Sequence, residues 1–240
     1  MTVTGRLRGE RGVALVIALM AMTMMVALGT ALILTTTTES KITRNFRTAS
    51  EATYAADAML ERAVSELVAI PDWNALLGGA ARSSFVAGPP TGPRMLADGT
   101  VIDPGEAINV ANCQKASACA DDDMNRVTDE RPWGLNNPRW QPFAWGALNN
   151  LTTTGSVSSP FYGIVMVADD PSECDNNPLV DGGEPVPPCG TTSSLNPGAG
   201  VLSLRAEAFG PFGSHKIIEA TVTRTEGAAG VRMLSWREVR

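Results

Sequence analysis

Apolar residues are distributed along this chain in three different patterns. From Val13 to Thr38 there are 26 consecutive residues without a charge, and the 22 up to Leu34 are almost entirely apolar. About 20 apolar residues suffice to carry a helix across a bilayer. A cleaved secretory signal has an apolar stretch of only about 7–15 residues, followed by a small-residue site. This run is longer and has no such exit, so it predicts a spanning helix.

The second pattern begins where the first ends. Ile42, Phe46, Ala49, Thr53, Ala56, Leu60, Ala63 and Leu67 recur at steps of four and three, with Met59 and Val64 widening the stripe. Lys41, Arg44, Arg47, Glu51, Asp57, Glu61, Arg62 and Glu66 form the polar face between them. No glycine or proline interrupts residues 30–70, and Pro71 supplies the stop. One helix over residues 13–70 is the expectation. At about 1.5 Å per residue it would be on the order of 85 Å long, far more than a bilayer requires. Two accounts fit its upper half, a juxtamembrane coiled coil or a lid packed on a globular head.

Residues 71–160 are rich in Gly, Pro, Asn and Ser, with short apolar pieces such as "SSFVA" and "TVID", and read as a loop-heavy region with short strands. From residue 161 the period changes to two. "FYGIVMVAD" is β-rich. "VLSLRAEAF" places Leu202, Leu204, Ala206 and Ala208 on one side, "GPFGSH" is a turn, and "KIIEATVTR" alternates Ile218, Ala220 and Val222. "VRMLSWREVR" is the last strand. Three or four antiparallel strands with one apolar face need a cover, which the helical stripe can provide. The fold class is therefore α+β, a long N-terminal helix packed on an antiparallel sheet. Trp133, Trp140 and Trp145 cluster in the loop-heavy region, with Trp73 and Trp236 elsewhere; they either plug loops onto the core or offer a partner-binding surface.

Charge narrows the function classes. The net charge is −6, and removal of the arginine-bearing first twelve residues would leave the chain more acidic still. Sequence-independent nucleic-acid binding, which requires Lys and Arg along phosphates, is not expected. Four cysteines, Cys113, Cys119, Cys174 and Cys189, allow three disulfide pairings, of which the local one closes the shortest loops. With a single histidine and these spacings, a zinc knuckle does not fit. Arg6, Arg8 and Arg11 before the apolar run balance Lys41, Arg44 and Arg47 after it, so the positive-inside count leaves topology undecided. Disulfides belong on the oxidising side, which puts the N-terminus in the cytoplasm and the head in the periplasm.

Candidate chemistry is sparse. "DDDMNRVTD" sets Asp121, Asp123, Asn125 and Asp129 at loop positions 1, 3, 5 and 9, where alternate oxygens and the Val127 carbonyl could surround Ca²⁺. It is not an EF-hand, because Arg126 stands where glycine is required and Trp133 where glutamate is. A second acidic stretch offers Asp170, Asp175, Asn177 and Asp181, without regular spacing. His215, the lone histidine, falls in a hairpin turn, and no nucleophile elbow, phosphate loop or metalloprotease helix is present. An enzyme is not expected, and Ca²⁺ is the only cofactor suggested.

The N-terminal third, "RG" followed by "VALVIALMAM" and then "ESKITRNFRTASEATYAADAMLERA", resembles PilX-type minor pilins of type IV pilus assembly. It is also similar to the large minor pseudopilin of type II secretion (the GspK type). The resemblance is dense over residues 9–68, returns in "VLSLRAEAFGPFGSHKIIEATVTR" and "LSWREVR", and is weak between. It implies a pilin architecture, a cytoplasmic leader of residues 1–12 cut by a prepilin peptidase between Gly12 and Val13, and methylation of the new amine. It further implies single-pass residence in the inner membrane before assembly with other minor pilins or pseudopilins. Pilins carry a glutamate five residues after the cut, where this chain has Ile17. In a filament core that glutamate offsets the buried N-terminal amine of the preceding subunit, an otherwise costly charge. A subunit lacking it fits a position with no predecessor, the filament tip. A competing reading is a membrane-anchored periplasmic domain that binds a ligand or calcium.

Overall fold

The computed structural model describes residues 10–151, 158–184, 186, 199–225 and 230–239. Helix α1 spans Glu10–Leu67 without a break, and the chain divides into two units at residues 47/48. The first unit consists of the described part of α1 up to Arg47, whose side chains from Gly12 onward are all exposed. Past Leu67 the helix relaxes into turns, with the Ala69 and Ile70 amides bonded to the Glu66 and Leu67 carbonyls. The helix therefore stops short of Ile70, because Pro71 disfavours α geometry in the residue before it.

The second unit is a head of helix on sheet. Short helix α2 (Asn74–Leu77) follows α1, then a two-stranded ribbon of β1 (Arg94–Met95) and β2 (Val101–Ile102), then α3 (Pro104–Cys113) and α4 (Asp121–Asn125). Five antiparallel strands complete it in sequential order: β3 (Gln141–Ala147), β4 (Tyr162–Asp169), β5 (Val201–Phe209), β6 (His215–Arg224) and β7 (Val231–Val239). Four of these match the expected strands. The fifth, β3, lies in the segment expected to be loop-heavy. It is an edge strand that carries Pro142 and a register shift between Pro142 and Ala144, features an edge tolerates and a central strand does not.

Alternation assigns each strand face. Leu202, Leu204, Ala206 and Ala208 of β5 and Ile218, Ala220 and Val222 of β6 join Val165 and Val167 of β4 under α1. On α1 the buried positions are Ala52, Ala55, Ala56, Met59, Leu60, Ala63 and Leu67, while Ile42 and Phe46 stay exposed. The expected stripe followed a 3.5-residue period. The buried part of the stripe begins at Ala52, within the second unit. Small alanines let the helix lie close, and Gly163 of β4 sits directly beneath Met59.

The other face of β4 is covered as well. Tyr162, Ile164, Met166 and Ala168 pack with Leu96, Ala111, Trp140 and Trp145. Helix α3 is anchored there by a reciprocal pair: the Asn112 side chain accepts from the Trp140 amide at 2.7 Å and donates to its carbonyl at 3.0 Å. The indole of Trp145 donates to the Gly88 carbonyl at 3.0 Å. Trp73, Trp140 and Trp145 are thus core residues, whereas Trp133 and Trp236 are nearly half exposed.

Farther along this face lies a buried ionic ladder. Arg205 bonds Glu207 and Glu219, each at 2.7 Å, and His215 meets the other Glu207 oxygen at 2.8 Å. His215 opens β6 beside the hairpin turn and stacks on Phe209.

Candidate functional site

Helix α1 contains a membrane-length apolar stretch, none of which is buried within the protein. A helix of that length and composition, uncovered by the described residues, fits a membrane-anchored protein. Its polar side chains are already neutralised internally. The hydroxyls of Thr23, Thr30, Thr35, Thr36, Thr37 and Thr38 each donate to a carbonyl three or four residues back, at 2.6–3.0 Å. In an apolar medium every such group must be satisfied within the segment, and here each is. Gly12 and Val13 lie in the first turns of α1, and Ile17 one turn further is exposed. At Ile17 the surface is uncharged hydrocarbon where the resemblance led one to look for a carboxylate.

The acidic stretch read as a calcium loop has a different geometry. Residues 121–125 are helix α4, so positions 1, 3 and 5 do not alternate toward one point. Asp123 caps that helix by accepting from the Ala120 amide and pairs with Lys115, whose ammonium holds its carboxyl below the usual range. Asn125 accepts from Arg139, and Asp121 and Asp129 are exposed. The protein's own cations occupy the oxygens expected to meet an ion. Next to them Cys113 and Cys119 form a disulfide, which is one bridge of the local pairing. Cys174 is also disulfide-bonded, and Cys189 lies outside the described residues.

Carboxylates do converge elsewhere. Asp169 ends β4, and Glu173 and Asp181 belong to the segment that leads away from it; one ligand oxygen from each lies within 4.8 Å of the others. Glu173 and Asp169 are 6% and 3% exposed. Glu173 Oε2 accepts from the Gly182 amide at 2.9 Å, and Asp181 Oδ1 from the Gly200 amide at 2.7 Å. The Asp181 amide in turn donates to the Asn74 side chain of α2. Asp175 is equally buried, and its Oδ2 presses on Gly183 so closely that a Cβ there would lie 1.9 Å away. Asp169 Oδ1, Glu173 Oε1 and Asp175 Oδ2 are buried without a hydrogen-bond partner among the described residues.

The electrostatics follow from burial among like charges. Desolvation, then Glu173 and Asp181, push the Asp169 carboxyl up to about 9. Desolvation, outweighing the Gly182 hydrogen bond and reinforced by neighbouring aspartates, raises Glu173 to about 7. Asp181 is raised by burial despite the Gly200 and Val201 amides and the Arg224 charge. Arg224 is itself laid over the Trp73 ring, 4.3 Å from its centroid, and donates to the Ile70 carbonyl. Of the four residues named in this stretch from sequence, only Asp181 belongs to the converging three, and Asp175 is buried near them. Asp170 and Asn177 form local turns, with Asp170 bonding Ser172 and Asn177 accepting from the Leu179 amide. Asp169 and Glu173 were missed. A signal was present, because no Lys, Arg or His occurs between Arg139 and Arg205.

Residues 11–61 match the protein family described as PilX N-terminal. The match starts just before the apolar run and ends within the stripe that α1 buries against the sheet. The likeness to the type II pseudopilin finds no support in it. No curated protein and no solved structure matches the chain.

Proposed function

We propose that this protein is a PilX-type minor pilin, cut between Gly12 and Val13, that helps prime or cap a type IV pilus-like filament. The observation that carries the reading is what the family match covers. The match over residues 11–61 spans both an apolar surface that no described residue buries and the start of the stripe that packs on the sheet. A bare anchor needs only the first of these. A filament subunit needs both, because its helix must pack with neighbouring helices and carry a head outside the core. Before assembly the apolar half crosses the inner membrane, with the disulfide-bearing head on the oxidising side. Ile17 supports a place at the tip, where no preceding amine requires a carboxylate. The partners are then other minor pilins and the prepilin peptidase, and the role is structural rather than catalytic.

The test is the intact mass of the protein purified from its own cells, with and without the prepilin peptidase. A mass short of residues 1–12 and carrying one added methyl group, seen only with the peptidase present, is the expected result. Full-length protein in both strains would overturn it and leave a membrane-anchored periplasmic domain.

A further inference from the structure

Three carboxylates converge at the end of β4 with Asp175 nearby, and Asp169, Glu173 and Asp175 are more than nine-tenths buried, each with one oxygen that has no hydrogen-bond partner among the described residues. Protein structures rarely leave such atoms without a partner, and uncompensated buried charge is costlier still. Asp175 adds an observation independent of the three converging residues. Its free Oδ2 rests on Gly183, the residue after the one whose amide binds Glu173, so both carboxylates close around the same Gly182–Gly183 backbone. Among the described residues, no salt bridge reaches Asp169, Glu173 or Asp175. Arg224 acts on Asp181 alone of the converging three, from its seat on Trp73. The basic residues nearest in sequence, Arg139 and Arg205, are committed to Asn125 and to the Glu207–Glu219 ladder.

We infer that Asp169, Glu173 and Asp181 form a binding site for a hard divalent cation of the calcium class, with Asp175 adding negative charge beside them. All donors are oxygens, the preference of Ca²⁺ rather than of thiol- or imidazole-seeking metals. Calcium–oxygen distances of about 2.3–2.6 Å set opposed ligands roughly 5 Å apart, compatible with the 4.8 Å limit within which the three ligand oxygens lie. The ion would join the end of β4, the loop after it and, through Asp181 and Gly200, the start of β5. This inference concerns the head alone and stands apart from the filament assignment.

The test is calorimetric titration of CaCl₂ into the EDTA-stripped full-length chain in detergent at about pH 7.5, beside two double variants. D169N/E173Q removes charge at nearly constant shape, and D121N/D123N does the same at α4. Expected is one binding event per chain, weakened in D169N/E173Q by more than the roughly 10–100-fold that outer-sphere partners contribute, and unchanged in D121N/D123N. Absence of binding by the unaltered protein at millimolar Ca²⁺ would overturn the inference. So would binding that survives D169N/E173Q but not D121N/D123N. If D169N/E173Q does not fold, E173Q alone carries the test: an unchanged Kd refutes the site, and a weakened one supports it.

Discussion

Helix α1 lies close to the sheet at Gly163, which gives a quantitative handle on how helix and sheet pack. A Cβ built there would lie 2.5 Å from Met59 Cγ, 2.9 Å from its sulfur and 3.1 Å from Leu148 Cδ1. Carbon atoms prefer about 3.5–4.0 Å, so Gly163→Ala creates roughly 1 Å of overlap. Met59 is fully buried, and its chain cannot swing into solvent. Overpacking of this kind costs about 1–3 kcal/mol, while loss of unfolded-state freedom on replacing glycine returns about 0.4–1 kcal/mol. A net destabilisation of about 1–2 kcal/mol is expected. Met59→Ala alone removes a buried side chain at about 2–5 kcal/mol. In combination the two changes compensate, because the new methyl enters the space the methionine leaves. Gly163→Ala should then be neutral or stabilising, a coupling of about 1–3 kcal/mol. Urea unfolding of the full-length chain in detergent, followed by fluorescence of the buried Trp73 and Trp145, measures all four corners of the cycle. Strictly additive costs would refute the placement of α1 over β4.

Two further outcomes follow from buried charge. Asp169 and Glu173 hold protons more tightly folded than unfolded, so with EDTA present their contribution to stability is complete below about pH 4 and is lost as pH rises through about 7 and 9. The stability difference between the unaltered chain and D169N/E173Q should therefore widen toward alkaline pH, with the variant the more stable; a pH-independent difference in urea midpoint would contradict the cluster's electrostatics. Arg205→Met strands Glu207, which is 2% exposed, and should cost about 3–5 kcal/mol in the same unfolding assay. Adding Glu207→Leu should restore most of it, and failure to do so would mean that Arg205 acts through packing rather than charge.

Much of the head was legible because its strands obey a period of two. β5 and β6 turned the residues read from alternation toward α1, with no change of face. Helix α3 went unread although its start signal is complete: Asp103 accepts from the Gly105 amide, Pro104 takes the first turn and Glu106 follows. Strand β3 escaped for the opposite reason, since its proline and bulge hide alternation behind an edge position. The carboxylate cluster was partly visible. Its members are twelve residues apart in sequence, from Asp169 to Asp181, and only the path of the loop after β4 brings them together. Periodicity carries no information about such a closure. Local spacing instead favoured Asp121–Asp129, where helix formation and two neighbouring cations redirect the oxygens.

The sequential order of the sheet also fixes a history for each molecule. A ribosome delivers α1 first, yet the strands that cover its stripe, β4 to β6, begin more than ninety residues after Leu67. Each strand can pair with its predecessor as it emerges, a local step, whereas the helix must wait for partners distant in the chain. Until those strands are made, Met59, Leu60 and Leu67 lack most of their cover. That interval is when aggregation or capture by a chaperone competes with folding.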